Sequence, residues 1–227
     1  MSCRNKRVFV AAVGDANSPV TWSGIPYHLL KAGQAAGLID EGLPLSAEGS
    51  AWQRRRFLWN GLRVFTHLDR PGGYQYSVSF LESLWAPVKQ RVQNGLVLNC
   101  FQLYAPSVVA DSSIEKWYFL DQTLTQLFDH YGLRSSVGRS IAKEALKRER
   151  AGYEAAAGIV VHSEWAKQSV VRDSGINPEK VYVVVPGANI EAELYAQWDR
   201  EHGQVLKPPL EGRPLKLVFV GRAWQRK

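Results

Sequence analysis

Short apolar runs alternate along this chain with stretches whose apolar positions recur at three- and four-residue steps. Residues 8–13 (VFVAAV), closed by Gly14, predict a buried first strand, because β-branched and aromatic residues suit it and glycine permits the turn. Pro26 opens a helical pattern over residues 26–36; a first turn has no use for the missing N–H, and Gly37 marks the stop. Over residues 74–92, Val78, Leu81, Trp85, Val88 and Val92 form one helix face, which Pro87 kinks or splits. Residues 96–101 and 116–120 predict two further strands, and residues 122–131 a helix stopped by Gly132. Residues 139–157 are rich in strong helix formers. A strand follows at 158–162, then a helix capped by Ser163, with Glu164 in its first turn and Gly175 at its end. Residues 181–185 predict one more strand, closed by Pro186-Gly187.

Nearly all-apolar strands alternating with helices predict an α/β fold: a Rossmann-like parallel sheet with helices on both faces. Residues 1–206 are assigned to that domain and the Pro/Gly-rich 207–214 to a linker. Residues 215–221 (LKLVFVG) predict a buried strand that opens a second, truncated domain over 215–227. A lone strand leaves both edges unpaired, so the chain reads as the front half of a larger enzyme.

Composition narrows this picture. The chain has 227 residues, 45% of them hydrophobic, and lacks both a secretory-signal pattern and a run long enough to span a bilayer. Cys3 and Cys100 stand too far apart in sequence to suggest a framework, and a cytoplasmic protein is expected. The net charge is +7, with clusters at Arg4/Lys6/Arg7, Arg54–Arg56 and Lys143/Lys147/Arg148/Arg150. These clusters suit phosphorylated ligands, acidic lipid head groups or nucleic acid, or are solvated helix faces. Nucleic acid ranks last: the basic residues are scattered and no binding motif is present. Residues 52–59 (WQRRRFLW) interleave basic and aromatic residues as interfacial membrane segments do. They also fit a plain helix with a Trp/Phe/Leu core face and an arginine outer face, which is the preferred reading.

Ligands of open parallel sheets bind outside the carboxyl ends of the strands. After the first strand come Gly14-Asp15 and then Thr21-Trp22-Ser23-Gly24-Ile25-Pro26, a glycine-containing approach to a helix start or an ordinary loop. After residue 120 comes Asp121, either a contact to a ligand hydroxyl or the cap of the next helix. Pro186-Gly187-Ala188-Asn189 is a shaped loop or a plain turn. After residue 220, Arg222 and Lys227 either clasp a diphosphate or belong to a solvated basic tail. None of the five histidines has metal-ligand spacing, and neither a P-loop nor a nucleophile elbow is present.

Together these segments resemble the retaining family-4 glycosyltransferases of the GT-B fold. The resemblance rests on residues 157–166 (AGIVVHSEWA), 173–176 and 180–189, and on Thr21–Tyr27, Tyr118–Thr123 and the terminal LVFVGR with Lys227. It implies two Rossmann-like domains across a cleft, with this chain mainly holding the acceptor, which is a sugar or a lipid-linked sugar. Arg222 and Lys227 would neutralise the diphosphate of a nucleotide-sugar donor, the co-substrate. Trp22, Ser23 and Gly24 would face the acceptor, and Asp121 would serve in catalysis. Neither a metal nor a further cofactor is implied. The family's paired glutamates have no counterpart in this sequence, so the chain alone is expected to be inactive. A non-catalytic module for a glycan or an anionic ligand is the alternative, and peripheral membrane contact stays open.

Overall fold

The computed structural model describes residues 6–46, 49–67, 71–187 and 192–202. Contacts divide the chain into one unit ending at Pro186 and a second beginning at Gly187. The first unit carries strands β1 (Val8–Asp15), β2 (Glu41–Leu45), β3 (Leu96–Asn99), β4 (Glu115–Leu120), β5 (Gly158–Val161) and β6 (Val181–Val183). Its helices are α1 (Ile25–Ala35), α2 (Ser50–His67), α3 (Val78–Trp85), the single turn α4 (Pro106–Val109), α5 (Leu124–Asp129), α6 (Arg139–Ala155) and α7 (Glu164–Ser174). Of the second unit, the helix α8 (Ala192–His202) is described. The predicted linker at 207–214 and the strand at 215–221 lie outside the described residues.

All six strands are parallel, in the order β2-β1-β3-β4-β5-β6. The fold is α/β and Rossmann-like. The chain steps outward from β1 to β2, then returns past β1 to β3 and continues the other way. The switch point of the sheet therefore lies between β1 and β3.

Alternation along each strand sends the apolar residues to two unequal faces. Phe9, Ala11, Val97, Tyr118, Leu120, Ile159 and Val161 join the main core, against Leu81 and Trp85 of α3, Phe128 of α5, Ile141 and Ala145 of α6, and Val170 of α7. Trp85, Tyr104, Tyr118 and Tyr153 form a chain of rings through this layer, with successive centroids 4.9–5.0 Å apart. Val10, Ala12, Ala16, Cys100 and Phe119 form a small separate cluster on the opposite face, with Ile25 and Leu29 of α1 packed against it.

Four departures from the sequence reading have physical causes. The predicted helix over 74–92 is three pieces: 3₁₀ turns at Tyr74–Tyr76 and Lys89–Val92 flank α3. Ser77 starts α3 by accepting from the Phe80 N–H, and Pro87 lies in the break after it. The helix predicted over 122–131 begins at Leu124, and its cap is Thr123 rather than Asp121. Thr123 accepts from Gln126 N–H while the Gln126 side chain accepts from Thr123 N–H, a reciprocal capping box. The last strand ends at Val183, with Val184 and Val185 exposed. Strand β2 (EGLPL) escaped the sequence reading because glycine and proline disfavour strands; it survives at the sheet edge, paired only with β1.

Candidate functional site at the carboxyl edge of the sheet

The site is built where β1 and β3 end. Gly14 takes a positive φ of 111°, which turns the chain off β1. Asp15 then serves the loop itself: its Oδ1 accepts from the backbone N–H and the side-chain amide of Asn17, both at 2.9 Å. The Asn17 amide also donates to Gly42 O, and Asp15 N–H donates to Thr21 Oγ1 at 3.2 Å. This bracing leads into the 3₁₀ turn Thr21–Gly24. There Trp22 (φ 51°, ψ 46°) and Ser23 (φ 57°, ψ 27°) adopt left-handed backbone, followed by Gly24 at φ 81°. Two non-glycine residues in succession in this region cost the fold conformational energy. Gly24 is required: an added Cβ would meet His28 and the Pro19 carbonyl at 3.2 Å in an already strained conformation. Trp22 is half-buried against the Cys100/Phe119 cluster, and Ser23 is exposed.

Across the switch point, buried Asn99 shapes the exit from β3. Its amide donates to the carbonyls of Phe101 (2.9 Å) and Leu103 (3.2 Å), and its Oδ1 accepts from Phe101 N–H. Gln102, also buried, donates to Gln122 O at 3.3 Å and ties this loop to the one that follows β4. From the other side, Thr123 Oγ1 lies 2.7 Å from Ser169 Oγ, and the Gln126 amide donates to Trp165 O at 2.9 Å. Half-buried Asp121 sits in the segment held between these anchors.

The register that pairs Leu120 with Val161 carries Asp121 and His162 to the same edge. His162 N–H donates to Leu120 O, and its ring stands edge-on to Phe119 with centroids 4.5 Å apart. Burial pushes the imidazole pKa below its ordinary value, which keeps the ring neutral near pH 7. Its Nε2 is buried without a hydrogen-bond partner among the described residues. Cys100, beneath the same edge, is buried, and burial pushes its thiol up to about 12, so it is packing rather than a nucleophile.

Trp22, Ser23 and Gly24 follow β1 and Asp121 follows β4, so all four stand at the carboxyl edge of the parallel sheet. Arg222 and Lys227 lie outside the described residues, as do Ala188 and Asn189. His162 was missed as a polar group of this edge; its position directly after an apolar strand was the available clue. Among the described residues, no cluster of His, Cys, Asp or Glu is placed to hold a metal ion. A concavity of about 290 Å³ lies elsewhere, between α5 and α7, lined in part by Asp129, His130, Trp165 and Arg172. No protein-family model matches the chain, and no curated protein matches its sequence.

Proposed function

We propose that this chain supplies the acceptor side of a retaining glycosyltransferase, moving a sugar from a nucleotide-sugar donor to the hydroxyl of a sugar or lipid-linked acceptor. The observation that carries the reading is the first βα connection, where Trp22, Ser23 and Gly24 hold left-handed backbone at the switch point of a parallel sheet. Strain of this kind is retained where it presents groups to a ligand.

A sugar has an apolar face and a rim of hydroxyls. The half-buried Trp22 ring suits the first. Ser23, Asp121 and neutral His162 suit the second, as hydroxyl, carboxylate and imidazole acceptors. In the transfer, the bond from the anomeric carbon to the donor diphosphate breaks, a bond to the acceptor oxygen forms, and the acceptor's hydroxyl proton passes to the departing phosphate oxygen. Negative charge builds on the departing diphosphate, which a cation stabilises; by the resemblance alone, Arg222 and Lys227 would be those cations. The order along the chain of the segments that resemble the family-4 glycosyltransferases supports the same reading.

Two experiments test it. Titration of the 227-residue chain with mono- and disaccharides and lipid-linked sugars should shift the amide resonances of residues 21–24 and of Asp121 and His162, and Trp22→Ala should abolish the response. In the protein as the cell makes it, Asp121→Ala should lower kcat/KM for transfer about a hundredfold with the fold intact. Sugar binding without any transfer by the cellular protein would instead support a non-catalytic glycan module. Shifts confined to the groove between α5 and α7 would move the site there.

A further inference from the structure

Helix α2 presents two apolar faces, and the core uses only one of them. Trp52 and Trp59 pack on Tyr74, with ring centroids 6.1 and 5.5 Å away, and Trp52 also meets Phe80. On this inner side Arg56 lies over the Trp52 ring and Arg63 over the Trp59 ring, at 5.6 and 5.0 Å. Asn60 Oδ1 accepts from Gly72 N–H, and Arg63 donates to Ser140 Oγ. Residues 52, 56, 59, 60 and 63 therefore make up the face that holds the helix down.

Leu58, Leu62 and Phe65 follow one another at four- and three-residue steps, so they form a single stripe along the opposite side. They are 63%, 64% and 85% exposed, and Phe57 beside them is 78% exposed. Arg54 and Arg55, both exposed, head this stripe at the amino-terminal end of the helix. The 18 residues of α2 contain four arginines and no aspartate or glutamate. The preferred sequence reading gave this outer face to arginines alone; the structure places leucine and phenylalanine there with them.

We propose that the outer face of α2 docks on the surface of an anionic phospholipid bilayer. The arginines would meet lipid phosphates, while Leu58, Leu62 and Phe65 enter the boundary between head groups and acyl chains, to a depth of about 5–10 Å. Charge complementarity selects this occupant. A second copy of the chain would bring the same arginines and no acidic residue on α2, so this face offers itself no opposite charge. A convex ridge on one helix needs no matching groove when it enters a lipid surface. Among the described residues no helix is long and apolar enough to cross a membrane, so the contact is peripheral. The proposal is independent of the reaction the protein performs.

Vesicle co-sedimentation at physiological salt tests it. The chain should pellet with phosphatidylglycerol-containing vesicles at least about tenfold more than with pure phosphatidylcholine, because the arginines require anionic lipid. A Leu58→Ser/Phe65→Ser variant and an Arg54→Glu/Arg55→Glu variant should each lose most of this binding. Their thermal unfolding midpoints should match the parent, since these side chains are exposed, and that match separates lost docking from lost folding. Wild-type chain left in the supernatant with both vesicle types would overturn the proposal, as would equal binding to both. Full retention of binding by the serine variant, together with competition by soluble polyglutamate, would assign the face to an acidic protein instead.

Discussion

Glu149 is 1% exposed inside the main core, an unusual place for a carboxyl group. Its Oε1 accepts from Leu124 N–H at 2.7 Å and from the Tyr153 hydroxyl at 2.9 Å. Both bonds favour the charged form, yet desolvation outweighs them and raises the pKa to about 8 from an ordinary 4.5. The folded state thus holds this proton over a range where the unfolded chain has lost it. The group's stabilising contribution is complete below its unfolded pKa and is lost as pH rises toward the folded value, at most roughly 1.4 kcal/mol per pH unit. His162 has the opposite sign: its lowered pKa favours the fold above the ordinary histidine value and costs stability as pH falls. Denaturant unfolding from about pH 5 to about pH 9 should therefore show stability falling between about pH 6.5 and about pH 8, where His162 no longer opposes the loss, and levelling above that. Glu149→Gln, which imitates the protonated group, should remove that fall and leave a rise in stability up to about pH 6.5 from His162 alone. An unaltered slope between about pH 6.5 and about pH 8 in this variant would remove Glu149 from the account. None of this was legible in the sequence. Glu149 stands in a run of Lys, Arg and Glu that reads as a solvated helix, and only packing shows that its face points inward. Asp121 and Thr123 make a similar point: either could cap the next helix, and Gln126 decides for Thr123 because it lies three residues on.

At the scale of elements, the strong periodic segments were legible and the exceptions have local reasons. α6, β5 and α7 follow the sequence closely because propensity, the Ser163 cap and the Gly175 stop agree. β2 was hidden because its glycine answers a tertiary need: a Cβ at Gly42 would stand 2.5 Å from Leu30 of α1. Another such contact joins α6 to β4. A methyl carbon at Gly152 would stand 2.1 Å from the Tyr118 hydroxyl oxygen and 3.3 Å from Cζ. Gly152→Ala improves intrinsic helix propensity by about 1 kcal/mol, while overpacking a core costs about 1–3 kcal/mol. We expect a net loss of stability from Gly152→Ala, seen as a lower Tm. Tyr118→Phe removes the clashing oxygen, so the double variant should recover most of that loss. A stabilised Gly152→Ala single variant would show that the helix shifts freely against the sheet.

At the scale of the molecule, alternation of strands and helices was enough to fix the parallel sheet. It did not reveal how unevenly the two faces are covered. Nor did it say which loops converge, because that depends on strand order, and order is set by crossovers between residues far apart in sequence. The parallel direction of the strands puts the loops of Trp22 and Asp121 on one edge, and the order β1-β3-β4 sets a single strand between them.

The small cluster beneath α1 has a kinetic consequence. Few buried contacts anchor α1 and the turn before it, while α6 and the central strands share the large core. Local opening should therefore be graded across the sheet, easiest on the α1 side. In native-state hydrogen exchange, Leu30 and Lys31 should lose protection well before Ile159 and Val161. Equal protection on both sides would mean that the unit opens only as a whole. If the graded pattern holds, the layer beside Trp22 can loosen while the sheet stays intact, and a ligand seated on Trp22 would register first as slowed exchange along α1.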